Sequence, residues 1–157
     1  MEYIFNNDYE NEKDLIFKQY RLYVEMADHL SSRRATANGF FLTFISILLA
    51  AIGIIIQIEL YLFLIPCAIT GIIIAVFWFT LINRYREYNK AKFKVINKIE
   101  EKLPVKGFTT EWELVNLRKK GFISLHLTDV EKYVPLLLVG VFTLILIVAL
   151  LDLWITI

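Results

Sequence analysis

Residues that commonly carry chemistry are sparse in this 157-residue chain, and they do not group into a reactive site. Its two histidines, His29 and His126, lie far apart in sequence, and its single cysteine, Cys67, lies within an apolar run. This cysteine count excludes a disulfide framework and argues against a metal cluster. The chain contains no phosphate loop, no dinucleotide fingerprint and no HExxH or CxxC motif. We therefore predict a protein that is not an enzyme, with no catalytic residue, cofactor or metal site.

Asp152 is the one charged residue within three long apolar runs, and it therefore needs an explanation. It lies near the end of the last run, about 27 Å along a helix from Val134. That distance brings its carboxylate to the headgroups of the outer leaflet, and the adjacent Trp154 is typical of an interfacial aromatic belt. We interpret Asp152 as an interfacial residue and not as an acid or base.

The elements around these residues are set by the three apolar runs, at 39–58, 61–82 and 134–157. Each has about 20 residues or more, which is enough to cross about 30 Å of hydrocarbon as a helix. Three helices that are apolar on every side do not fit in the core of one small soluble domain. The sequence predicts an all-α membrane protein with three transmembrane helices.

The basic residues predict the orientation of these helices. Segment 1–38 holds five of the 17 lysines and arginines, segment 83–133 holds the other twelve, and the 59–60 turn holds none. Arg33 and Arg34 flank the first run, and Arg84 and Arg86 flank the second. The positive-inside rule therefore places 1–38 and 83–133 in the cytoplasm and the C-terminus outside. The net charge of +1 hides a local basic excess of +5 in 83–133, and this excess favours anionic lipid headgroups over nucleic acid as a partner.

The two cytoplasmic segments have helical patterns. Residues 11–34 form an amphipathic pattern within the N-terminal segment 1–38, and no Gly or Pro separates them from the first run. Residues 83–103 continue the second run as far as Pro104. A short helix then follows with Thr109 or Thr110 as its N-cap.

The start of the final helix carries a capping signal. Thr128 and Glu131 have the spacing of a capping box, which predicts that the final helix begins at this point. The same start would put Pro135 in an early turn, where a proline is tolerated.

Small and polar residues form two stripes within the first two runs. The first stripe has alternating spacings of four and three residues, and consists of Gly39, Thr43, Ser46, Ala50, Gly53 and Gln57. The second stripe consists of Cys67, Gly71 and Ala75. Helices in lipid associate through close packing at small residues, so both stripes are candidate helix-packing or oligomer surfaces. The third run looks lipid-facing apart from Gly140 and Thr143.

Two interpretations of the first stripe stay open. It packs against neighbouring helices, or its Thr43, Ser46 and Gln57 side chains surround a central path in a cyclic oligomer. No ring of charged residues is expected at the membrane centre, so strong ion selectivity is not predicted.

Two sequence segments carry a resemblance to a known family. The run from Gln19 to Asp28, continued from Ser31 to Leu42, is similar to the signature of RipA-type octameric bacterial membrane proteins. Glu111-Trp112 and the run from His126 to Pro135 also resemble that family, and the likeness covers most of residues 13–140. Gly39 stands where Ser or Ala is common.

This resemblance implies an inner-membrane octamer without a settled biochemical activity. We therefore expect a homo-oligomeric ring that acts as a scaffold or pore under envelope or host stress. A second resemblance, to SLATT-type effectors of bacterial conflict systems, implies membrane permeabilisation on command, although the third run fits it less well. A third alternative is an accessory subunit that requires an unidentified protein partner.

Overall fold

The computed structural model describes residues 12–118 and 127–156, without the side chains of 116–118, 127–130 and 156. The described residues are helical and contain no strand, which confirms the all-α prediction. The helices are α1 (Lys13–Gln57), α2 (Leu64–Glu100, after a 3₁₀ turn at Tyr61–Phe63), α3 (Gly107–Arg118) and α4 (Leu127–Thr156). α1, α2 and α4 are each long and apolar enough to cross a bilayer, so this is a multi-pass membrane protein.

α1 continues for 45 residues without interruption. Its sequence between Lys13 and Gln57 contains no proline, and its two glycines do not break it. The helix ends in a Schellman motif, where the Leu60 N–H donates to the Ile55 carbonyl at 3.2 Å and the Glu59 N–H donates to the Ile56 carbonyl. Glu59 has a φ of 58°, a left-handed conformation that glycine usually supplies.

The described residues form two compact units, and α1 and α2 contribute to both. The polar unit contains 12–33 and 85–118, and the apolar unit contains 34–84 and 127–156. The core of the apolar unit combines residues of α1, α2 and α4, namely Phe41, Ile45, Ile52, Leu64, Trp78, Ile82, Phe142 and Ala149.

Aromatic side chains fix the contact between α1 and α2 in the apolar unit. The rings of Phe41 and Trp78 stack with centroids 5.7 Å apart. The Trp78 indole N–H donates to Asn38 Oδ1 at 2.9 Å. This bond satisfies a polar group that would otherwise be costly to bury among apolar side chains.

A buried carboxylate organises the polar unit. Glu100, at the end of α2, has an exposed fraction of 0%. It accepts hydrogen bonds from the Tyr20 hydroxyl (2.8 Å), the Phe108 N–H (2.9 Å), the Thr109 N–H (3.0 Å) and the Thr109 hydroxyl (2.8 Å). Glu100 therefore joins α1 and α2 to the N-terminus of α3, where a negative charge is favoured by the helix dipole.

The ionisation of this cluster follows from its contacts. Burial opposes ionisation of Glu100, but the hydrogen bonds from Phe108, Thr109 and Tyr20 outweigh burial and lower its pKa. Burial, the hydrogen bond to Glu100 and the charge of Glu100 raise the pKa of Tyr20 to about 12. Glu100 is therefore an anion and Tyr20 a neutral donor at neutral pH.

Two local predictions need correction. α3 begins at Gly107, so Thr109 and Thr110 lie inside its first turn and its N-terminus is capped by Glu100 from another helix. Pro135 lies in the interior of α4, because that helix already includes Leu127. It has no N–H to donate to the Glu131 carbonyl, so one helical hydrogen bond is lost there.

Candidate assembly surface

Each residue of the first stripe is exposed. Gly39, Thr43, Ser46, Ala50, Gly53 and Gln57 all lie on the surface of α1. A Cβ atom added at Gly39 or Gly53 would meet no atom within 4 Å. The described part of one copy therefore leaves this stripe uncovered.

The first stripe also faces away from the chain's own core. At about 100° per residue, its centre lies about 140° around α1 from the face formed by Phe41, Ile45 and Ile52. The hydroxyls of Thr43 and Ser46 donate to the carbonyls of Gly39 (2.9 Å) and Leu42 (2.8 Å) in the same helix. The stripe is thus a shallow surface whose hydroxyl protons are already bonded, which suits close approach of another helix.

The second stripe has a different place. Gly71 and Ala75 are buried and Cys67 is half-buried. A Cβ atom at Gly71 would lie 2.5 Å from Cε1 and 2.6 Å from Cγ of Phe142. Gly71 therefore makes the space for the Phe142 ring, and this stripe packs α2 against α4 within one copy.

The exposed face of α2 in the apolar unit is a ridge that sequence reasoning missed. It is formed by Ile69, Ile73, Val76 and Thr80, which are all exposed. This face lies about 150° around α2 from its buried residues. The spacings of four, three and four residues were the available signal. However, Ile69, Ile73 and Val76 in a membrane span are equally typical of a lipid-facing surface.

Charged residues are exposed on both long helices of the polar unit. On α1 they include Arg21, Glu25 and Asp28, and on α2 they include Lys90, Lys94 and Glu101 just beyond its end. At about 100° per residue, the α1 set lies about 100° around its helix from Tyr20, and the two lysines lie about 100° around α2 from Glu100. Glu25 also lies 3.8 Å from His29, a pair in which both side chains are well exposed.

The arginines predicted to flank the membrane lie in different environments. Arg33 and Arg84 are exposed and Arg86 is half-buried. The Arg34 guanidinium lies 3.7 Å from Glu131 Oε1, with both side chains mostly buried, so Glu131 pairs α4 with α1. The Thr128 side chain lies outside the described residues, and the capping box at Thr128 and Glu131 stays a prediction. His126 also lies outside the described part of the chain.

Asp152 lies next to the turn between α1 and α2. It lines a cavity of about 300 Å³ together with Glu59, the 60–63 segment, Ala149 and Leu153. Asp152 is exposed. The interfacial position of Asp152 in a bilayer stays a prediction.

Comparison with known proteins identifies one family. Residues 17–151 match the model of the octameric membrane protein family (8xMP). Comparison with curated proteins and with solved structures gives no match.

Proposed function

The chain belongs to the octameric membrane protein family, and on that premise we propose that eight copies associate through the first stripe of α1 into a membrane ring. The ring is a non-enzymatic scaffold of the bacterial inner membrane, with the N-terminus in the cytoplasm and the C-terminus outside. The observation that carries this proposal is the full exposure of the first stripe, on the side of α1 opposite to the core.

Packing explains this exposure better than lipid contact does. The other outward positions of α1 in the apolar layer carry large side chains that suit acyl chains, among them Phe40, Ile47 and Ile54. Six small or polar residues in one line leave a groove along the span, whose other outward positions carry large side chains. In a bilayer such a groove gains van der Waals contact when a second helix fills it.

Placement of the first stripe between copies favours a scaffold over a water-filled pore. If neighbouring helices cover Thr43 and Ser46, those residues do not line a path for ions. The exposed faces of α2 and α4 in the apolar unit are mainly large aliphatic residues, including Ile73, Leu144 and Leu151. A ring axis lined by such residues suits lipid, or direct helix contact, better than a column of water.

Leucine substitution at two glycines tests the assembly surface. A Cβ atom added at Gly53 or Gly140 would meet no atom within 4 Å, so a new side chain at either position starts in open space. Gly53→Leu fills the groove of the first stripe and should lower the native mass in lipid nanodiscs. Gly140→Leu, on α4, is the matched control and should keep the wild-type mass. Equal masses for the wild type and both variants would contradict the role of the first stripe.

The role under envelope or host stress is a further part of this proposal, supported by the family resemblance. A strain that lacks the chain should grow normally in rich medium and lose viability under detergent or host-derived stress. Restoration by the wild type but not by Gly53→Leu would connect that role to assembly. Equal rescue by the wild type and by Gly53→Leu would show that the stress role does not depend on assembly through the first stripe.

A further inference from the structure

The apolar unit and the polar unit each contain a pair of complementary surfaces on α1 and α2. We propose that the outward face of α1 in one copy docks on the outward face of α2 in the next copy. This inference rests on the proposed function, because it assumes that copies of the chain form a ring. It adds the identity of the surface that the first stripe contacts.

Symmetry requires two different surfaces on each copy. Copies inserted by the same charge rule share one orientation in the membrane, so a ring of eight has its axis along the membrane normal. Adjacent copies in such a ring meet through a heterologous interface, in which one surface contacts a different surface of the neighbour. The first stripe therefore cannot pair with itself around the ring, since self-pairing closes at a dimer.

Size complementarity in the apolar unit selects the outward face of α2. The Asn38–Trp78 hydrogen bond sets the register of this antiparallel pair, so residue 43 of α1 is level with about residue 73 of α2. By the same register Gly39 is level with about residue 77 and Ser46 with about residue 70, each one residue from a member of the ridge (Val76 and Ile69). Rotation about the membrane normal keeps each height unchanged. Small residues of one copy therefore meet large residues of the next at the same depth.

Charge complementarity in the polar unit selects the same pair of helices independently. The Tyr20–Glu100 hydrogen bond makes residue 25 level with about residue 95 and residue 28 level with about residue 92. The acidic Glu25 and Asp28 are thus at the height of Lys94 and Lys90 on the neighbouring copy.

One turn away, Arg21 is level with about residue 99, between Lys98 and Glu101. Opposite charges therefore meet at the heights of Glu25 and Asp28. These two heights favour one register of docking, although exposed pairs add little affinity.

α4 is a weaker candidate for the second surface. Its exposed face in the apolar unit also carries large residues, including Leu137, Leu144 and Leu151. Its described residues offer no row of charges comparable to that of α2 at 90–101, because α4 lies mostly within the apolar layer. Size alone does not distinguish α4 from α2, but the charges favour α2.

Disulfide crosslinking tests this docking. In a Cys67→Ala background, the pair Thr43→Cys and Ile73→Cys places cysteines on faces of α1 and α2 that point away from each other within one copy. Oxidation should join copies head to tail and give a ladder that extends beyond dimers toward eight copies. The matched control, Thr43→Cys with Leu144→Cys, should give no ladder. Native mass is measured before oxidation.

The other possible results of the crosslinking and mass measurements each contradict one part of the proposal. A ladder from the Leu144 control alone would move the second surface to α4, and dimers from Thr43→Cys alone would show self-pairing of the first stripe. An eight-copy mass without any crosslink would overturn the docking and leave the octamer intact. A mass below eight copies before oxidation would instead overturn the proposed function.

Discussion

At the scale of single residues, Glu100 has the most consequences for the fold. An acidic residue at the carboxyl end of a helix is disfavoured by the helix dipole, yet Glu100 closes α2 and is fully buried. The unfavourable position at α2 is offset by the N-terminus of α3, where the same carboxylate accepts two backbone N–H groups. Tyr20 adds a third element to this cluster through its hydroxyl.

Acidification should release α3 from this cluster. The folded pKa of Glu100 lies below its ordinary value of 4.5, so its stabilising effect is complete at neutral pH and is lost as pH falls through the folded pKa. Hydrogen exchange of 107–118 should show protection that declines as the pH falls through this lowered pKa. Protection that stays constant down to pH 2.5 would contradict this role.

Two substitutions separate the charge of Glu100 from its partners. Glu100→Gln should lower protection of α3 at neutral pH by roughly 1–3 kcal/mol and abolish the acid step. Tyr20→Phe removes one donor but keeps the ring beside Phe108, at a centroid distance of 6.5 Å, and should cost about 1 kcal/mol with the acid step retained. If the loss of protection at low pH persists in Glu100→Gln, another carboxylate causes it.

Gly71 should behave differently from Gly53 under the same substitution. Any side chain at Gly71 overlaps the buried Phe142 ring, and overpacking of this kind typically costs about 1–3 kcal/mol. Gly71→Leu should therefore lower the thermal stability of the apolar unit, followed by tryptophan fluorescence, whereas Gly53→Leu should lower native mass without that loss. Normal stability of Gly71→Leu would show that α2 and α4 do not pack as described.

At the scale of elements, α1 and α2 each have a buried face and, on the opposite side, an exposed face. One face of each helix builds the core of the single copy, through Phe41 and Ile45 on α1 and Trp78 and Ile82 on α2. The opposite face of each helix is exposed. On α1 this face carries small side chains, and on α2 it carries mainly large ones. A helix with two such faces is suited to lie between two neighbouring helices. The described part of one copy does not supply a helix on the exposed side.

Charge reversal tests the pairing of these elements. Glu25→Lys with Asp28→Lys places like charges beside Lys90 and Lys94 of the neighbour and should weaken assembly in low salt. Lys90→Glu with Lys94→Glu should weaken it similarly, and all four changes together should restore it. Each exposed pair contributes about 0.2–1 kcal/mol, so the expected change in the assembly constant is a few-fold per pair and shrinks at high salt. Failure of the fourfold variant to recover mass would argue against this pairing.

The sequence was sufficient to predict the helices but not the partners of their faces. Length and hydropathy identify three spans because backbone groups in lipid must bond within helices. The two stripes look alike in sequence, yet Gly71 receives a ring from the same chain while Gly53 stays open. The Glu100 cap was missed because its partners Tyr20 and Phe108 lie on other helices. A carboxylate at the wrong end of a helix was the available signal.

At the scale of the whole molecule, the family description and the exposed surfaces agree. Family membership indicates an octameric membrane protein, and the exposed first stripe supplies a surface that a single copy leaves uncovered. Packing of that stripe between copies would leave the ring axis without a continuous polar lining. We therefore propose that the ring organises the membrane or its lipids and does not conduct ions.

Permeability measurements test this scaffold interpretation. Liposomes that contain the assembled protein should retain a small fluorescent dye and a potassium gradient as well as empty liposomes do. The reason is that Thr43 and Ser46 are covered by neighbouring helices in the proposed ring. Leakage that disappears when Thr43 is replaced by leucine, with the assembly mass unchanged, would show instead that the first stripe lines a pore.

The most direct test of assembly is the native mass of the wild-type protein in lipid nanodiscs. We predict a mass of eight copies of the 18.4-kDa chain, after correction for bound lipid. That mass should hold over a range of protein concentrations, because a closed ring leaves no free surface for a ninth copy. A stable monomer or dimer under these conditions would contradict the proposed ring and the docking of α1 on α2.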